Sequence, residues 1–386
     1  MDRSEFTAGA TGKLVPIQHT SADMAVAFVP NPLPPDWEWP TELWPVLLDA
    51  RTCLSSLDGI GRHLPNPDLL LRPLQQREAQ LSSQLEGTFT DPQQQALFQA
   101  DPRYPTSKAD PANSYREVYN YARALRLRRE DPGVSHLPLS KRLIRELHGV
   151  LMDGVRGHNQ RAGEFRTVQN QIGHPARFVP PPPEILEALL DEFEKYLNES
   201  SDRYDPLVRA FLAHYQFETI HPFGDGNGRV GRLLLALTIS EWLGHQRQWL
   251  YMSAFFESRK KEYMDLLLRV STHGSWSLWI KFCLDGVISQ AKDTEKRCSQ
   301  LVALHRDFHQ RLKGGSIRLS AIVDGLFDNW VVTVMGVKNK MKVTYPTART
   351  DLRKLESLGI LSPVPNASQI TYYCQQIFNI TYAEMG

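Results

Sequence analysis

The chain has 386 residues, 41% of them hydrophobic and 23% charged, which fits a globular protein of two or three domains and excludes a disordered or low-complexity chain. Lys and Arg number 44 against 43 Asp and Glu, so no global field draws the molecule to nucleic acid or to an acidic surface, and any basic patch is local. The four scattered cysteines, Cys53, Cys283, Cys298 and Cys374, form no CxxC pair; with no apolar leader and no apolar run near the roughly 20 residues of a membrane span, they predict reduced thiols in a cytoplasmic protein with no membrane partner.

In chain order, residues 1–27 are small and polar and predict a loose tail. Phe28 Val29 Pro30 Asn31 Pro32 Leu33 Pro34 Pro35, followed by Trp37, Trp39 and Trp44, predicts an extended arm pinned by its aromatics to its own domain. From 45 to 85 the pattern is mostly helical, broken at Leu64 Pro65 Asn66 Pro67. It ends in Ser82 Ser83 Gln84 Leu85 Glu86 Gly87, a helix terminus closed by glycine. Residues 90–111, rich in proline, predict a loop.

Helices are expected at 113–129 and at 139–151, the second with Leu143, Ile144, Leu147, Val150 and Leu151 on one face. The stretch 163–183 changes character. Thr167 to Ile172 and Arg177 Phe178 Val179 flank Gly173 His174 Pro175, which predicts a small hairpin ended by prolines. Helices resume at 184–198, at 206–217 with Asp205 as N-cap and Pro206 in first position, and at 233–243, 255–270 and 276–312. Gly314 Gly315 marks a boundary. Beyond it, three short helices at 319–327, 333–340 and 347–358 precede a two-stranded wing, 359–364 and 370–378, turned at 365–368. That is the order of a winged helix-turn-helix.

Between the helices at 206–217 and 233–243 lies His221 Pro222 Phe223 Gly224 Asp225 Gly226 Asn227 Gly228 Arg229 Val230 Gly231 Arg232. Glycines let backbone N–H groups converge on an anion, and the positive end of a helix dipole adds to their pull. The arginines can fork onto phosphate oxygens, the aspartate offers a hard oxygen to a cation such as Mg²⁺, and His221 can accept a proton near neutral pH. The segment also matches GxGxxG, but that dinucleotide fingerprint must follow a strand in a βαβ unit, and here a helix precedes it. No GxxxxGK[ST] occurs, which excludes a P-loop.

The segment resembles the signature of the Fic family, HPFx(D/E)GNGRxxR, and matches it at every specified position. The resemblance extends to Ala162 Gly163 Glu164 Phe165 Arg166 ahead of a flap, to the flap 171–178, and to the arm 28–35. It implies a mainly α fold: a Fic-type helical core with a small β-hairpin flap, followed by the C-terminal winged helix-turn-helix. The expected division is a tail (1–27), an N-terminal extension with an inhibitory helix (28–112), a catalytic core with a helical linker (113–313) and the winged-helix domain (314–386).

The resemblance further implies transfer of AMP from ATP to a Ser, Thr or Tyr hydroxyl of a target protein, or of the enzyme itself. His221 would be the base. Asn227 and the N–H groups of Gly226 and Gly228 would hold the α-phosphate, Asp225 would hold Mg²⁺, and Arg229 and Arg232 would neutralise the β- and γ-phosphates. Gly228 stands where the phosphate-transferring branch of the family carries lysine, which favours adenylyl transfer. Ser82, Glu86 and Gly87 are similar to the family's inhibitory motif (S/T)xxxE(G/N), so Glu86 would pair with Arg232 at the site the γ-phosphate needs.

The flap residues Gln171, Ile172, Gly173 and His174 would dock an extended target segment by strand addition. Tyr263 matches the family's adenine-facing tyrosine, Ser258 departs from its usual asparagine, and His214 and Glu218 read as structural. In the tail, Lys338, Lys340, Lys342, Arg349, Arg353 and Lys354 face only Asp351 in their span. Over residues 316–386, however, seven Lys and Arg meet five Asp and Glu, a weak field for DNA. Transfer of another nucleotide, removal of AMP, a DNA-binding regulator whose core senses nucleotide, and assembly as a homodimer stay open at this point.

Overall fold

The computed structural model describes residues 1–17, 26–62, 67–155, 161–173, 175–313, 316–364 and 369–382. Among them the protein is mainly helical, as expected, with two small sheets. Its centre is a helix pair. α7 (Pro206–Ile220) starts as the sequence predicts, Asp205 accepting from the Leu207 N–H with Pro206 in the first turn. α8 (Asn227–Trp242) follows after a six-residue loop, starting earlier than the apolar run suggested. Both are buried on nearly every face, the mark of helices that other helices surround.

Around this pair pack α4 (Ala112–Glu130), α5 (Lys141–Leu151), α6 (Leu186–Asn198), α9 (Ser253–Ser258) and α10 (Lys260–His273). The single helix expected at 255–270 is two, broken at Arg259, whose φ and ψ of −127° and 35° are not helical. α11 (Trp276–Arg311) runs the length of the core beside α1 (Trp44–Arg62). α2 (Asp68–Leu85) lies against α4 and α9 and brings the sequence around Ser82 and Glu86 to the centre.

Several expectations change. The tail was read as loose, yet Gly12–Pro16 (β1) pairs antiparallel with Val26–Pro30 (β2), Gly12 opposite Pro30. Phe28 is fully buried between the Phe6 and Phe178 rings, so burial of one aromatic decides that pairing. The rest of the arm is held as predicted: Trp37 stacks on Tyr204 at 5.7 Å, and the Tyr204 hydroxyl donates to the Pro35 carbonyl at 3.1 Å. The proline-rich loop 90–111 contains α3 (Pro92–Ala100), because Asp91 accepts from the Gln94 N–H and Pro92 sits where a helix tolerates it. The expected hairpin is reduced to one antiparallel bridge, Ile172 with Phe178. The first turn signal, at Leu64–Pro67, lies outside the described residues except for Pro67.

After α11 come α12 (Ile317–Asp328), β3 (Val331–Thr333), α13 (Val334–Met341), α14 (Tyr345–Ser357), β4 (Ser362–Pro363) and β5 (Thr371–Tyr373), with sheet order β3-β5-β4. The strand expected through Phe378 stops at Tyr373. Cys374 donates its N–H to the Trp330 carbonyl, and Gln375–Tyr382 forms α15, which lays Phe378 against Trp330 at 5.0 Å. Gly314, Gly315 and the wing turn 365–368 lie outside the described residues.

Candidate active site

The loop between α7 and α8 is bounded by two left-handed residues. His221 ends α7 at φ 52°, and Gly226 opens α8 at φ 81°. The second position suits glycine; the first is uncommon for a residue with a Cβ and holds only because its surroundings fix it. Arg166 supplies much of that: its backbone N–H donates to the Pro222 carbonyl and its Nε to the His221 carbonyl, each at 2.9 Å. Asn170 donates to the Phe223 carbonyl at 3.1 Å. The His148 ring lies flat on Phe223 at 3.8 Å, with its Nε2 3.1 Å from the Asp225 carbonyl and its Nδ1 accepting from the Gly163 N–H. Nothing local to His148 signals that it supports the loop, since a lone His on an apolar helix face looks like core.

A cleft opens beside the loop. His221, Gly228, Arg232, Tyr263, Glu218 and Glu86 reach it from the core, and Ile172, Arg177 and Phe178 from the flap. The Nδ1 of His221 lies 3.2 Å from the Glu218 carbonyl, which requires Nδ1 to carry the proton and leaves Nε2 as an acceptor. Burial pushes its pKa down to about 4, so the imidazole is neutral at physiological pH. The first N–H groups of α8 have no partner within the helix, and Gly228 brings that end of the helix to the cleft wall.

Arg232 is the most heavily held side chain of the site. It is 2% exposed, and its guanidinium donates to Ser82 Oγ at 2.8 Å, to the Ser82 carbonyl at 2.9 Å and to Glu86 Oε1 at 2.8 Å. Burial pushes the Glu86 carboxyl up, but Arg232 beside it, with Arg229 and His221, outweighs that and holds it below the usual carboxylate range. A Cβ on Gly228 would lie 2.1 Å from Glu86 Oε1, so the close approach of α2 to α8 needs glycine there. Gly87 continues from α2 at φ 84°, with its N–H on the Gln84 carbonyl and the Thr88 N–H on the Ser83 carbonyl. Lys260 Nζ donates to the Leu85 carbonyl at 2.6 Å and fastens this end of α2 to α10.

Two residues of the motif are engaged within the fold. Arg229 is fully buried and ion-paired with Glu117 at 2.7 Å, with a longer contact to Asp225 at 3.4 Å. Its guanidinium is turned into the core, because the buried Glu117 carboxylate requires a cation. Asn227 folds back on its own loop, accepting from the Phe223 N–H and donating to the Phe223 carbonyl, both at 2.8 Å. Its amide closes the turn. Asp225 keeps a carboxylate 31% exposed at the loop while accepting from the Gly226 N–H at 2.6 Å.

Tyr263 lines the cleft, but its hydroxyl is shared with His214 Nε2 at 2.9 Å and its ring stacks on Phe256. Ser258 bonds its own helix through the Phe255 carbonyl and does not line the cleft. Gln171 reaches the Gly173 carbonyl, and Ile172 and Phe178 exchange backbone hydrogen bonds. His174 lies outside the described residues. Glu218, read as structural, belongs to the cleft. Burial pushes its pKa up to about 8, and its Oε1 is buried without a hydrogen-bond partner. Its spacing three residues before His221, on the last turn of α7, was the signal available in the sequence.

Residues 138–239 match the Fic/DOC family model and residues 44–128 the Fic/DOC family N-terminal model. Over 105 residues the chain is 39% identical to the protein adenylyltransferase fic-1 of Caenorhabditis briggsae, and over 106 residues 42% identical to the protein adenylyltransferase Fic of Drosophila grimshawi. These stretches make up 25% and 26% of this chain and 20% of each relative, so the likeness spans about a fifth of the relatives' length. The fold is similar to that of a Fic family protein from Desulfovibrio desulfuricans G20, with TM-score 0.58 and 18% identity, covering 89% of this chain and 98% of that one. It is also similar to Fic-1 (residues 134–508) from C. elegans, with TM-score 0.51 and 22% identity, covering 68% and 73%. A helical fold built around a His-bearing, glycine-rich loop that opens a buried helix is thus the Fic fold. Over residues 44–128 and 138–239 the chain is similar to the Fic/DOC family.

Proposed function

We propose that this protein is a protein adenylyltransferase, held in a restrained state by Glu86. The observation that carries the reading is the meeting, in one cleft, of a neutral His221 Nε2, the amino end of α8 and an Arg232 guanidinium already engaged by Ser82 and Glu86. In the reaction, a Ser, Thr or Tyr hydroxyl of a target protein attacks the α-phosphorus of ATP. Its proton passes to Nε2 of His221, the bond from the α-phosphorus to the bridging oxygen breaks, and pyrophosphate leaves.

The N–H group at Gly228, at the open end of α8, would face the charge that grows on the α-phosphate, that of Gly226 being taken by Asp225 Oδ1, and Arg232 would hold the terminal phosphate once Glu86 withdraws. Asp225 offers Mg²⁺ a partly exposed, hard carboxylate oxygen, the donor that ion takes alongside substrate phosphates, and the bound ion would neutralise charge on the leaving pyrophosphate. The flap edge at Ile172, with Arg177 and Phe178 at the cleft, would take the target segment.

Incubating wild type, Glu86→Gly and Glu86→Gly/His221→Ala with α-labelled ATP and Mg²⁺ tests this. Label should enter protein in Glu86→Gly, far less in wild type, and be lost with His221. Labelling from another nucleotide instead, or release of AMP from a pre-modified protein, would replace the reading.

The C-terminal unit supports a second reading as a winged helix through its order of three helices before the β4–β5 ladder. The lone acid in its basic stretch, Asp351, is buried and held by Arg318 at 3.0 Å, so it does not offset the lysines around it. Salt-dependent binding of duplex DNA by the full chain is the check.

A further inference from the structure

Two imidazoles and a carboxylate meet where α11 runs beside α12, away from the cleft. His305 and His309 are one helical turn apart on α11 and so share a face. Nε2 of His305 lies 2.8 Å, and Nε2 of His309 2.9 Å, from the same oxygen, Oδ1 of Asp324 on α12. The two rings are 4.4 Å apart, and all three candidate donor atoms lie within 4.8 Å of one another. The His305 ring meets Phe327 edge-on at 5.2 Å, which limits its rotamers.

Two imidazole nitrogens that converge on one carboxylate oxygen outline a place for a cation once their protons leave. Imidazole nitrogen selects Zn²⁺ and its first-row neighbours over Mg²⁺ or Ca²⁺, which prefer oxygen alone. The three side chains are 30%, 32% and 42% exposed, so water can take the fourth corner of a tetrahedron. With donor atoms about 2.0–2.2 Å from the ion, the corners of a tetrahedron stand roughly 3.4 Å apart, so the His–Asp contacts open by about half an ångström on binding. Partly exposed side chains allow a movement of that size.

We propose that His305, His309 and Asp324 form a divalent transition-metal site of the Zn²⁺ type that clamps α12 to α11. The clamp bears on the rest of the molecule through Asp328, at the far end of α12. That residue is bound by Arg72 and by Gln76 of α2, the helix that carries Ser82 and Glu86. An ion at the site would therefore stiffen the anchorage of the helix that holds Arg232.

The full chain, stripped with a chelator, is titrated with Zn²⁺ alone against a chromophoric competitor. Co²⁺ is titrated separately and followed by its visible absorption. Wild type should take one equivalent, give the intense absorption of four-coordinate Co²⁺, and melt at higher temperature with Zn²⁺ than without. His309→Ala and Asp324→Asn should bind at least about tenfold more weakly and lose the melting shift. His305→Gln keeps bulk and polarity but is a poor ligand; it should melt like wild type in chelator and show no Zn²⁺ shift, which separates ligation from folding. The proposal is overturned if wild type takes no ion, as two plain hydrogen bonds would require, or if these variants bind as wild type does.

Discussion

At the scale of single residues, the proposed restraint turns on Arg232. A hydrogen bond between charged groups contributes about 1.5–3 kcal/mol, roughly a ten- to hundredfold change in an equilibrium, and Glu86 applies it to the guanidinium proposed to meet the nucleotide. Glu86→Gly is therefore expected to raise labelling from ATP by about tenfold or more, measured as initial rate at fixed ATP; an unchanged rate would refute restraint by this contact. Arg232→Ala in that background should raise the KM for ATP, since it removes the proposed partner of the terminal phosphate.

His221 is the proposed base. His221→Ala should lower transfer by roughly 10²–10⁴ with ATP binding nearly unchanged. Its pKa of about 4 also fixes a sign. As a base it works when unprotonated, so activity of Glu86→Gly should fall only as pH drops toward 4. A half-maximum near 6.5 would mean that the imidazole is solvated during turnover.

At the scale of elements, the site depends on how closely α7, α8 and α2 approach. A Cβ on Gly231 would lie 2.3 Å from Glu218 Oε1 and 3.1 Å from the fully buried Phe217 ring. Alanine gains up to about 1 kcal/mol from a less flexible unfolded chain. Overpacking a rigid core costs roughly 1–3 kcal/mol, and Phe217 cannot yield as an exposed side chain would. Gly231→Ala is accordingly expected to lower the melting temperature, a change that differential scanning calorimetry resolves; an unchanged or raised value would show that α7 and α8 can separate freely.

Elements also show where sequence reading stops. α5, α6, α7 and α11 were legible because an apolar face at helical spacing, or a cap such as Asp205, is local information. α3 was hidden by prolines that the first turn of a helix accepts. β1 was hidden because nothing in Gly12–Pro16 itself reveals that Phe28 on the opposite strand needs burial. The alternation in the flap suggests a hairpin, but among the described residues only Ile172 and Phe178 pair.

For the whole molecule, buried titratable groups set the response to pH. Burial raises Glu218 to about 8 and Glu78 to about 7, whereas both ionise near 4.3 in an unfolded chain. Their contribution to stability is complete below that value and is lost as pH rises through the native values. His214, His221 and His148, lowered by burial to about 3, 4 and 4, act in the opposite sense, and their contribution is lost as pH falls below about 6.5. Between about 6.5 and 8 only the acids among these five still titrate, so stability should decline by up to about 1.4 kcal/mol per pH unit for each. Urea midpoints at pH 6.5 and 8 should show that decline in wild type and a smaller one in Glu218→Gln. Equal declines would remove Glu218 as the cause.

The sequence by itself determined the chemistry available. His221, Asp225, the glycines and Arg232 stand within twelve residues, so their joint presence at one helix terminus follows from chain connectivity alone, and Ser82, Glu86 and Gly87 form a second local signature. Tertiary structure decided which of them are engaged and by what. Ser82 meets Arg232 across 150 positions of sequence. Glu117, on α4, draws Arg229 into the core, Asn227 turns back to close its own loop, and Glu218 enters the cleft. A guanidinium or an amide has several partners within reach of its chemistry, and only packing, which sets distance and excludes water, selects among them.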